Sequence, residues 1–151
     1  MTGTPAPAAK PEAVTAAQTL IWVLFAAGLA IFGPYLYAAA FPPDGTAFGL
    51  DLVVGSGLFN LAVAALPFLA IHVGRRHGAA RWATLVVSAA SVLTIGGFLL
   101  LAAADPFFRE NGDMTMAGVF ALAFVALPIA VAACLLAPAS VRWFRAAPPQ
   151  V

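Results

Sequence analysis

The chain has 151 residues, 63% of them hydrophobic and 9% charged, with a formal net charge of +1 and a mean hydropathy of +0.99. Soluble domains carry about 25% charged residues, so this composition excludes an ordinary water-exposed surface and points to lipid. The near-neutral balance excludes the basic field that nucleic acid requires, and a single cysteine, Cys134, excludes an intrachain disulfide.

Residues 1–13, rich in Pro, Ala and Thr, cannot bury a core and are expected to form a disordered tail. Uncharged residues 13–43 follow, long enough for the ~20 apolar residues that a ~30 Å hydrocarbon layer demands, and they predict a first helix over 17–40. Pro34 and then Ala38-Ala39-Ala40 admit a competing reading, a signal peptide cut after Ala40. A retained helix is the expectation, because the uncharged run exceeds the usual ~7–15-residue apolar region of a signal and Glu12 offsets Lys10. Pro42-Pro43-Asp44-Gly45 marks a turn.

The second helix is predicted over 50–73, with Ser56 and Asn60 on one face. Pro67 lies in its interior, where it removes a helical hydrogen bond and predicts a kink. His72, His77 and Cys134 lack the spacing of a zinc site, so neither metal nor cofactor is expected. In the third helix, 80–104, Thr84, Ser88 and Ser91 follow i, i+4, i+7 spacing with Thr94 close beside them. This hydroxyl stripe, with Ser56 and Asn60, is expected to hydrogen-bond between helices; a hydrated solute path is the alternative. At ~1.5 Å per residue, Asn60 and Thr94 reach depths of ~13 and ~16 Å, so Asn60 is expected to pair with Thr94, Ser91 or a facing carbonyl. The fourth helix is predicted over 114–137, with a second kink at Pro128, and residues 140–151 read as a short tail.

Charges sort by loop. Lys10, Arg75, Arg76, Arg81, Arg142 and Arg145 fall in the tails and the 74–81 loop, whereas Asp44, Asp51, Asp105, Glu110 and Asp113 fall in the other two loops; Glu12 and Arg109 break the pattern. The positive-inside bias then predicts an all-α integral membrane protein with four transmembrane helices spanning 14–139 and both termini cytoplasmic. Trp22, Trp82 and Trp143 suit the cytoplasmic interface, and Arg75, Arg76, Arg81 and Arg142 are candidate contacts for lipid head groups. Abundant Ala, Gly, Pro and Arg match GC-rich codons, which suggests a bacterial cytoplasmic membrane.

At a shift of 61 residues Gly57, Phe59, Leu61, Ala62, Ala65, Leu66 and Pro67 fall onto Gly118, Phe120, Leu122, Ala123, Ala126, Leu127 and Pro128, and Arg81-Trp82 onto Arg142-Trp143. The chain is therefore expected to contain two tandem helical hairpins related by a pseudo-twofold axis along the membrane normal. No Asp, Glu, Lys or Arg lies deep in a predicted span, which counts against ion-coupled transport, and no catalytic motif is present. The expected role is a non-catalytic accessory, scaffold or assembly subunit, partnered by lipid and by other membrane proteins or itself. The alternative is a small oligomeric transporter or channel.

Overall fold

The computed structural model describes residues 9–40, 50–104, 118–119 and 121–145; the side chains of 32, 35, 36, 38–40, 50–60, 98 and 102 lie outside the description. Among these residues the protein is all helical, without a strand. Helices α1 (Glu12–Ala40), α2 (Leu50–Gly74) and α3 (Gly78–Ala104) are followed by a π-helical turn (Leu122–Ala126), α4 (Leu127–Leu136) and α5 (Pro138–Arg145). Two helices are long and apolar enough to cross a membrane, over Glu12–Ile31 and Gly78–Leu101. Leu122–Leu136 and Pro138–Arg145, bent by 58°, make a third if the pair is taken as one span.

Helix α1 packs along α2 and α4, α3 packs along α4 and the π turn, and α2 meets α3. Val14, Ala17, Ile21 and Leu24 recur at three- and four-residue spacing, so they form one buried stripe on α1. Against it lie Leu66, Ala70 and Val73 of α2 and Phe124, Val131 and Leu135 of the last helical segment. Near one end the Gln18 amide donates to the Ala70 carbonyl at 2.6 Å, which sets α1 and α2 antiparallel. Further along, Gly28 brings the two backbones together: a Cβ built there would stand 2.9 Å from both methyls of Val63.

The outside is apolar. Leu61, Phe68, Val86, Leu93, Leu100, Leu101 and Leu122 are all exposed, whereas Thr84, Ser88 and Ser140 are buried. Soluble proteins do not expose so much large apolar side chain, and a lipid solvent would remove its cost.

Two prolines interrupt the backbone ladder, and serines bond carbonyls beside them. Pro128 follows the π turn, where Leu127 N–H bonds the Leu122 carbonyl; it brings no N–H of its own, and the Ser91 hydroxyl of α3 donates to the carbonyl of Phe124, four residues before it, at 3.0 Å. Pro138 stands in the same relation to Cys134, whose carbonyl receives the Ser140 hydroxyl at 2.7 Å. The expected outcome for Ser91→Ala is a loss of about 1 kcal/mol, since hydrogen bonds measured in membranes average about 0.6. Pro128→Ala restores the missing N–H, so the loss should shrink in that background; a double-mutant cycle by reversible unfolding in mixed micelles measures the coupling.

Three element ends depart from expectation. Helix α1 begins at Glu12 rather than 17, because Val14 and Ala17 are fully buried and the packing draws the segment inward. Residues 138–145, expected as the end of a span and a tail, form α5. Its Ser140 and Trp143 are buried, so the amphipathic pattern finds a surface to cover. Pro67 lies inside α2 and Pro34 inside α1, and a bend of 58° falls at Ala137–Pro138, a position not expected to kink. Residues 41–49 and 105–117, with the carboxylates, Arg109 and the expected start of the fourth helix that they contain, lie outside the described residues.

Candidate functional site at the cationic end

Antiparallel packing gathers the start of α1, the turn between α2 and α3, the start of α3 and all of α5 at one end. Lys10, Arg75, Arg76, Arg81, Arg142 and Arg145 therefore collect there, and Glu12 is the only carboxylate beside them among the described residues. The turn has a definite geometry. Arg76 adopts φ 64°, His77 N–H donates to the His72 carbonyl at 3.1 Å and Arg76 N–H to the Val73 carbonyl at 3.3 Å. This is a Schellman ending with arginine at the left-handed position that ordinarily favours glycine.

The arginine is held by α5. Its Nε donates to the Trp143 carbonyl at 3.0 Å, and its guanidinium lies 5.0 Å over the Trp143 ring. Nη2 of Arg76 and Nε1 of Trp143 are buried without a hydrogen-bond partner. Arg81, also buried, donates through Nε to the Leu135 carbonyl at 3.2 Å, just before the bend, and its guanidinium lies 5.7 Å from the Phe144 ring. On the other side of the end, Lys10 donates to the Gln18 side-chain oxygen, and burial pushes the Lys10 ammonium below the ordinary lysine range. Gly74 leaves room for Gln18, whose amide would collide with a Cβ there.

The candidate residues divide. Of the four arginines, Arg75 and Arg142 are exposed, Arg76 is half-buried and Arg81 faces inward, where it binds backbone rather than a head group. Of the tryptophans, Trp22 and Trp82 are exposed but Trp143 is buried. Arg81-Trp82 and Arg142-Trp143, matched in sequence, thus exchange which partner faces inward. Along the hydroxyl stripe Thr84 and Ser88 are buried and Ser91 half-buried, while Thr94 is exposed. Ten residues beyond Thr84 at about 100° each, Thr94 is turned roughly 80° off the stripe. Thr84 donates to the Ala80 carbonyl of its own helix at 2.7 Å. Ser91, an expected partner of Asn60, gives its proton to Phe124; the side chains of Asn60 and Ser56 lie outside the described residues.

His72 donates through Nδ1 to the Phe68 carbonyl at 2.8 Å, with its ring 3.8 Å from Phe68 and 5.1 Å from His77. Cys134 is a half-buried free thiol. Among the described residues no three His, Cys, Asp or Glu side chains converge. A cavity of about 320 Å³ between α1 and α2 is lined by Phe25, Gly28, Leu29, Gly33, Val63 and Pro67, groups that can hold only hydrocarbon. Sequence reading missed Gln18 and Ser140. Gln18 had a signal in its place four residues after Val14 on the buried stripe, and Ser140 in its place just after a proline. No protein family, curated protein or solved structure shows a significant match to the chain.

Proposed function

We propose that the chain is a four-span protein of a bacterial cytoplasmic membrane, with its cationic end and both termini cytoplasmic, built as two tandem hairpins. Its role on this reading is that of a non-catalytic accessory, scaffold or assembly subunit. One observation carries the choice over transport: Thr84, Ser91 and Ser140 direct their hydroxyls to the chain's own carbonyls, so they line no open polar path. Large apolar side chains exposed along the helices, with the described hydroxyls turned to the chain's own carbonyls, suit a chain that docks other helices in lipid.

Purification in mild detergent tests the role. A membrane partner at fixed stoichiometry, retained through gel filtration, is the expected result; a self-oligomer that conducts a solute in proteoliposomes would establish the transport alternative instead. Topology has its own readout. With Cys134 replaced, a cysteine at Gly78 should resist an impermeant thiol reagent in intact cells and one at Gly112 should react. Labelling at Gly78 from outside overturns the orientation.

A further inference from the structure

We infer that Arg76 and Trp143 form a binding site for one phosphate-type oxyanion, either the headgroup phosphate of an anionic lipid or a free phosphate. The Arg76 Nη2 and Trp143 Nε1 donors are both buried and have no partner, and Trp143 as a whole is only 8% exposed. They belong to side chains already locked together by stacking at 5.0 Å and by the bond from Arg76 Nε to the Trp143 carbonyl. Buried donors in native proteins are nearly always satisfied. Guanidinium and indole can only donate, so the missing group is an acceptor.

Charge selects the acceptor. Arg75, Arg76, Arg81, Arg142, Arg145 and Lys10 face one described carboxylate, Glu12, so a water would satisfy the donors but leave the field uncompensated, whereas an oxyanion answers both. Arg75, Arg142 and Arg145 are exposed and form a cationic rim, and Arg76 itself is half-buried. A planar guanidinium presents paired N–H groups to phosphate in a way that lysine cannot. The lipid source rests on the membrane reading proposed above; the soluble source does not.

The test uses the full chain in a neutral detergent, with Trp22→Phe and Trp82→Phe leaving Trp143 as the only tryptophan reporter. Phosphatidylglycerol, phosphatidylcholine and inorganic phosphate are titrated separately. A saturable change in Trp143 emission with phosphatidylglycerol, about tenfold weaker with phosphatidylcholine and absent with phosphate, assigns the site to a lipid; a response to inorganic phosphate assigns it to a soluble anion. Arg76→Gln should weaken binding about tenfold or more. Arg76→Gly should do the same while relaxing the positive φ, which separates loss of the site from loss of the fold. Arg75→Gln removes the same charge from an exposed neighbour and should change affinity far less. Alkaline carbonate extraction reads membrane integration independently, so a soluble chain and a missing site are told apart. Equal losses from Arg75→Gln and Arg76→Gln, or equal responses to the two lipids with none to phosphate, would overturn the site.

Discussion

A leucine in place of Gly28 is expected to destabilise the protein by about 3 kcal/mol, the upper end of what overpacking costs. Even the first added carbon would stand 2.9 Å from both Val63 methyls. Valine is branched at Cβ and has one strongly preferred rotamer in a helix, so it cannot swing aside. The helices must separate instead, and the buried contacts of Leu24 and Leu66, about one turn toward the Gln18–Ala70 pair, weaken with them. Val63→Ala removes the obstructing methyls and should recover a large part of the loss, although Val63→Ala alone should destabilise. Reversible unfolding in mixed micelles measures all three variants. A Gly28→Leu protein as stable as the parent would show that α1 and α2 do not approach closely here.

Arg81→Met is expected to cost about 2–3 kcal/mol, close to the worth of a hydrogen bond from a charged donor. Methionine keeps most of the packing volume but leaves the Leu135 carbonyl without the Nε donor it now has at 3.2 Å. That carbonyl lies at the broken end of α4, where the 58° bend turns the chain into α5. The stacking on Phe144 is lost as well, so α5 should loosen as a unit. Arg81→Lys keeps the charge without the planar fork and should recover little of it. Protease sensitivity of the α4–α5 junction, read with the unfolding midpoint, distinguishes local release from global loss; Arg142→Met, at an exposed position of the same dipeptide pattern, should be nearly silent.

Much of the helical content was legible because apolar runs of this length, free of charge, leave few other ways to satisfy backbone groups. That Thr84, Ser88 and Ser91 share one face of their helix was legible for a similar reason: their spacing is a property of one helix and needs no neighbour. Helix ends were read less well. Val14 and Ala17 look like tail until α2 and α4 are there to bury them, and a proline announces a break without saying whether the helix stops before it, as at Pro138, or runs on past it, as at Pro67.

The sequence by itself determined an all-helical chain, with an apolar exterior and with its cations clustered by segment, because each of these follows from local composition and period. Only the tertiary structure decided which arginine turns inward. Arg81-Trp82 and Arg142-Trp143 are the same dipeptide, yet the first buries its arginine and the second its tryptophan. The difference lies in what each meets: Arg81 faces the Leu135 carbonyl near the bend, and Trp143 faces Arg76, held by a left-handed turn 67 residues away in the chain. Contacts of that separation depend on how helices pack, and no local pattern encodes them.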